Sequence, residues 1–149
     1  MVPSEILTSI TFFEELSDEM IRQLASIAEL KVYPEGVFLE NRKRSANYFY
    51  IILEGEIGLQ VESLTGKTLR LETITPGGAI GFSSLIDMEN KRYISDARTL
   101  TPVKVLRFVA DEMMLRFYQD FEMGFLIMKK IALIAKRRLV YRTMPIPKL

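Results

Sequence analysis

The chain has 149 residues, 48% of them hydrophobic, which suits a single domain with a real core. Its 20 basic and 19 acidic residues leave a net charge of +1, too small for a global pull toward nucleic acid or acidic partners. The absence of Cys and His excludes disulfides, thiolate nucleophiles, Cys/His metal sites, iron–sulfur ligation and imidazole-based triads. No acidic cluster has metal-ligand spacing, so neither a catalytic residue nor a metal ligand is assigned and the chain is expected to be non-enzymatic. No apolar run approaches the roughly 20 residues of a membrane span. The N-terminus lacks the basic and apolar regions of a secretory leader. Together with the missing Cys, this points to a soluble cytoplasmic protein.

The first elements read as helical. Ser17 is a suitable N-cap, and Asp18 and Glu19 follow in the first turn, where the helix dipole favours anions. Met20, Leu24, Ile27 and Ala28 share one face, and Phe12, Phe13 and Leu16 precede the cap and can tuck under it. Pro34 and Gly36 mark a turn. The middle reads as strands. Tyr48 to Leu53 is a continuous apolar and aromatic run bounded by Gly55, fitting a well-buried strand. Ile57, Leu59 and Val61 alternate with polar residues or glycine, as do Leu69 and Leu71, around a hairpin turn at Leu64-Thr65-Gly66-Lys67. A second turn is expected at Thr75-Pro76-Gly77-Gly78, and a further strand pair between Ile94 and Phe108. Short strands with regular turn signals imply an all-β roll or sandwich.

The C-terminal segment reads as one helix from Asp111. Phe121, Phe125, Met128, Ala132, Ala135 and Leu139 form a heptad-like stripe, with Ile127, Ile131 and Ile134 beside it. This apolar face is wide enough to pack on the roll with one edge and on a second subunit with the other, so a homodimer is expected. From Lys129 onward the charges are basic, which suits either a solvated C-terminal helix end or an acidic partner.

Helix, β-roll and long helix in this order resemble the cyclic-nucleotide-binding domains, including the sensor halves of catabolite-activator-type regulators. The residues that carry the resemblance are Phe12-Phe13 with Leu16 and Leu24-Ala25, then Tyr33-Pro34-Glu35-Gly36-Val37-Phe38. They continue with Tyr50-Ile51-Ile52-Leu53-Glu54-Gly55-Glu56-Ile57, Pro76-Gly77-Gly78-Ala79-Ile80-Gly81, and Ala97 through Leu106. The resemblance implies a mainly β fold with flanking helices, a jelly-roll-like double-stranded β-helix. Its parts would be N-terminal helices over residues 1–28, the roll over 29–110 and a long C-terminal helix over 111–143.

The resemblance also implies a phosphate-binding cassette, in which a Gly admits the ligand, a Glu accepts the ribose hydroxyls and an Arg neutralises the phosphate. The corresponding stretch here is Gly81-Phe82-Ser83-Ser84-Leu85. Phe82 stands where the Glu is expected, and Lys91 or Arg92 takes the place of the Arg. Gly81, Phe82, Ser83, Ser84, Lys91, Arg92 and Tyr93 are therefore the candidate ligand residues, with Tyr93 and Phe82 able to stack on a purine. The expected function is a regulatory sensor of a small anionic molecule, with cyclic AMP or cyclic GMP as first candidates. The alternative is a ligand-free dimerisation module whose pocket Phe82 fills. No helix-turn-helix is present, so direct DNA binding is not expected.

Overall fold

A computed structural model describes residues 1–41, 43–86 and 95–143, with side chains through residue 140. Two short helical segments, α1 (Ser4–Thr8) and the 3-10 turn Thr11–Phe13, lead into α2 (Asp18–Ile27). Ser17 caps α2 by accepting a hydrogen bond from the Met20 amide at 3.2 Å, and Met20, Ile21, Leu24 and Ala25 are buried. Among the described residues eight strands follow: β1 (Glu29–Tyr33), β2 (Phe38–Glu40), β3 (Tyr48–Glu54), β4 (Ile57–Glu62), β5 (Thr68–Ile74), β6 (Ala79–Ile80), β7 (Asp96–Thr99) and β8 (Val103–Val109). They form two antiparallel four-stranded sheets, ordered β1-β8-β3-β6 and β2-β7-β4-β5. The mainly β architecture with flanking helices expected from the sequence is the one observed.

The continuous apolar run of β3 has a direct cause. Successive strand side chains point to opposite faces, and both faces of this strand are covered. Phe49 and Ile51 join Leu106 and Phe108 of β8 in a cluster with the helices. Tyr50 and Ile52 join Val103 and Val105 of β8, Ile57 and Leu59 inside the roll. The chain thus has two apolar cores separated by the β1-β8-β3-β6 sheet.

The helix expected over residues 111–143 is two helices, α3 (Ala110–Gln119) and α4 (Phe121–Thr143). Asp120 takes an extended backbone, φ −141° and ψ 91°, and its carboxylate accepts from the Met123 amide at 3.1 Å. Asp at such a position is a strong N-cap, so the segment stops and restarts at this residue. On α4 the two stripes separate only in part, because Met128 and Ile134 both pack at the edge of the first core. Met123, Ile127 and Ile131 are buried against the first core. Phe121 and Phe125 are 75% and 65% exposed, and Leu139 is 63% exposed. Among the described residues no helix is long and apolar enough to cross a membrane.

Candidate functional site

The turn after β6 sets the site. Gly81 sits in the left-handed region at φ +81°. A Cβ there would lie 2.5 Å from the Tyr48 carbonyl oxygen and 2.9 Å from Glu40 Oε1. Only glycine fits both the conformation and the space. The chain then makes a single 3-10 turn, Phe82–Leu85. Ser84 is fully buried, and its hydroxyl donates to the Gly81 carbonyl at 2.6 Å, which fastens the turn.

Beside this turn lies a cavity of about 240 Å³, walled by Leu59, Ile80, Gly81, Phe82, Ser83 and Ser95 from the roll and by Ala135 and Leu139 from α4. Two ionisable residues, Glu40 and Arg138, also line it. The volume falls just under the range of about 300–1,000 Å³ usual for small-molecule sites. Phe82 is half-buried and narrows the cavity without filling it.

Glu40 reaches the cavity through an irregularity in β2. Phe38 pairs with Arg98 and Glu40 pairs with Ala97, with a register shift between Phe38 and Glu40. Such a shift re-aims side chains. Phe38 stays on the exposed face beside Arg98, whereas Glu40 shares the inner face of Ala97 and is only 4% exposed. Its Oε1 is buried and has no hydrogen-bond partner among the described residues. Burial pushes the carboxyl up from 4.5 to about 8, with Arg138 pulling it down and Asp96 adding to the rise.

Arg138 closes the cavity from α4. It donates to Glu72 Oε1 at 3.2 Å and to the Ala79 carbonyl at 2.7 Å, and its guanidinium lies 5.7 Å from the centre of the Phe82 ring. One side chain therefore ties α4 to β5, to β6 and to the turn. Lys129 and Lys130 of α4 also pair within the chain, with Glu15 at 3.1 Å and Glu14 at 2.7 Å.

Of the candidates from sequence, Gly81, Phe82 and Ser83 line the cavity, and Ser84 is turned away into its own hydrogen bond. Ala135 and Leu139, assigned from the stripe to a dimer face, also line the cavity. Lys91, Arg92 and Tyr93 lie outside the described residues. Glu40 and Arg138 were not singled out from sequence. Among the described residues no group of His, Cys, Asp or Glu could hold a metal ion.

The cyclic nucleotide-binding domain profile matches residues 30–119. The chain belongs to the cyclic nucleotide-binding domain family. Among solved structures, a candidate cyclic nucleotide-binding protein from Geobacter metallireducens GS-15 is 29% identical, with a TM-score of 0.79 over 93% of this chain and 99% of that one. A cyclic nucleotide-binding-like protein from Brucella abortus is 27% identical, with a TM-score of 0.62 over 78% of this chain and 97% of that one. The sensor domain of the transcriptional regulator DNR from Pseudomonas aeruginosa shares the fold at 17% identity, with a TM-score of 0.74 over 98% and 95% of the two chains. No curated protein matches the chain.

Proposed function

We propose that this chain is a non-enzymatic sensory domain that takes a small molecule into the cavity beside Gly81 and reports occupancy through α4. The observation that carries the reading is the shared wall. Phe82 and Ser83 of the roll face Ala135, Arg138 and Leu139 of α4 across one cavity. A ligand that binds one placement of α4 better than another shifts the population of helix positions by its differential affinity. Arg138 is the coupling element, because displacing it from Glu72, the Ala79 carbonyl or Phe82 alters the contacts of α4 with the roll.

The exposed Phe121 and Phe125 offer the output surface, a second copy of the chain packed along α4. A cyclic nucleotide is the first candidate ligand, and the resemblance assigns its phosphate to Lys91 or Arg92. The ligand-free alternative requires Phe82 to plug the pocket, and the cavity that remains beside it favours sensing.

The test is a thermal-shift screen with cyclic AMP, cyclic GMP, cyclic dinucleotides and small organic anions. A ligand at 100 times its dissociation constant stabilises by about 2.7 kcal/mol, a rise of roughly 5–10 °C in Tm for a chain of this length. A screen in which no compound shifts Tm contradicts the reading.

A further inference from the structure

The sensory reading leaves open what the cavity recognises, and Glu40 bears on that directly. A carboxyl carried on a β-strand, turned inward by a register shift and buried with an unpartnered oxygen, has no structural work among the described residues. It makes no salt bridge there that would hold the roll together. Burying such a group costs stability, and the cavity is where its unpaired acceptor can find a donor.

We propose that Glu40 is the recognition residue of this cavity, and that it accepts a hydrogen bond from a neutral donor on the ligand, best a carboxamide-type N–H beside a C=O, carried on a largely apolar body. The inference rests on the sensory reading above.

Three observations select that chemistry. First, the remaining wall is mostly apolar, with Leu59, Ile80, Phe82, Ala135 and Leu139, so most of the ligand must be apolar at this end. Second, the charges facing Glu40 oppose both kinds of ion. Arg138 from α4 acts on it favourably and Asp96 from β7 unfavourably. An anion seeking Arg138 meets an arginine already bound to Glu72 and to the Ala79 carbonyl. A cation seeking Glu40 meets Arg138. Third, burial holds the carboxyl toward its neutral form, so it presents one acceptor oxygen and one O–H donor. A carboxamide edge satisfies both at once. An anionic group elsewhere on the ligand is compatible, provided that it lies away from Glu40.

The experiment uses three fragments of matched shape: benzamide, benzoate and benzylammonium. Each is titrated into the full chain and into Glu40→Gln and Glu40→Leu variants, with backbone amide shifts of residues 80–85 and 95–99 as readout and circular dichroism as a fold check. The expected result is that benzamide moves the cavity amides and binds about tenfold or more tightly than either ion. Glu40→Leu should weaken benzamide by about tenfold, and Glu40→Gln, which keeps an acceptor and a donor in place, should stay within about threefold. Benzamide binding that is unchanged in Glu40→Leu, or benzoate binding as tightly as benzamide, overturns the role of Glu40 and leaves the sensory reading standing. Failure of all three fragments to move any cavity amide in the unmutated chain overturns the subsite, while the thermal-shift screen decides the sensory reading separately.

Discussion

Glu40→Gln gives the sharpest energetic prediction. The carboxyl ionises near 4.5 when exposed and near 8 in the folded chain. Because the folded state holds the proton more tightly, stability falls as pH rises from the unfolded value toward the folded one. Linkage over those two values gives a loss of roughly 2–3 kcal/mol between pH 5 and pH 7. That corresponds to a fall of about 5–10 °C in Tm for a chain of this size. The chain has no His to titrate in this window. Glu29 is held below the usual carboxylate range by Arg107, and Glu19 by Gln23 and Arg22, so both titrate below the window. Thermal melts of the parent and of Glu40→Gln from pH 5 to pH 7 provide the assay. The parent should lose stability across the range, and the Gln variant should be nearly flat. A flat parent, or a variant that keeps the parent's slope, refutes the assignment of Glu40 as a buried unpaired acid.

Other substitutions test neighbouring parts of the account. Gly81→Val places a side chain against the Tyr48 carbonyl at a positive φ, so it should destabilise by about 1–3 kcal/mol in a denaturant titration, and a neutral result would mean that the turn is laxer than described. Cyclic AMP should bind weakly or not at all, because Phe82 occupies the position where the resemblance expects a carboxylate; calorimetry giving low-micromolar affinity would contradict this. Changing Phe125 and Met128 together to Glu should convert a dimer to a monomer in sedimentation, by placing charge in an apolar interface. Identical monomeric behaviour of parent and variant removes the dimer proposal.

Much of the fold is legible in the sequence because its signals are local. Ser17 and the acidic first turn locate α2, and the unbroken run from Tyr48 marks the strand that separates the two cores. The break at Asp120 also had a local signal, an N-cap residue three before Met123, but the apolar spacing on either side masks it. The cavity was legible through Gly81, Phe82 and Ser83. Its ionisable residues were not. Simple alternation would place Glu40 on the same side as the exposed Phe38, and only the register shift between β2 and β7 turns it inward. Arg138 lies in a run of basic residues that reads as a solvated helix end. Its partners Glu72 and Ala79 are about sixty residues away in sequence, so only tertiary structure brings them together.

The most direct test of the central claim is hydrogen exchange on α4 with and without a compound that stabilises the chain in the thermal-shift screen, repeated in Arg138→Ala. Such a compound should protect residues 80–85 and also change exchange along α4, and Arg138→Ala should keep the first effect while reducing the second. Protection confined to residues 80–85 in the unmutated chain, with α4 exchanging at the same rate bound and free, would contradict the claim.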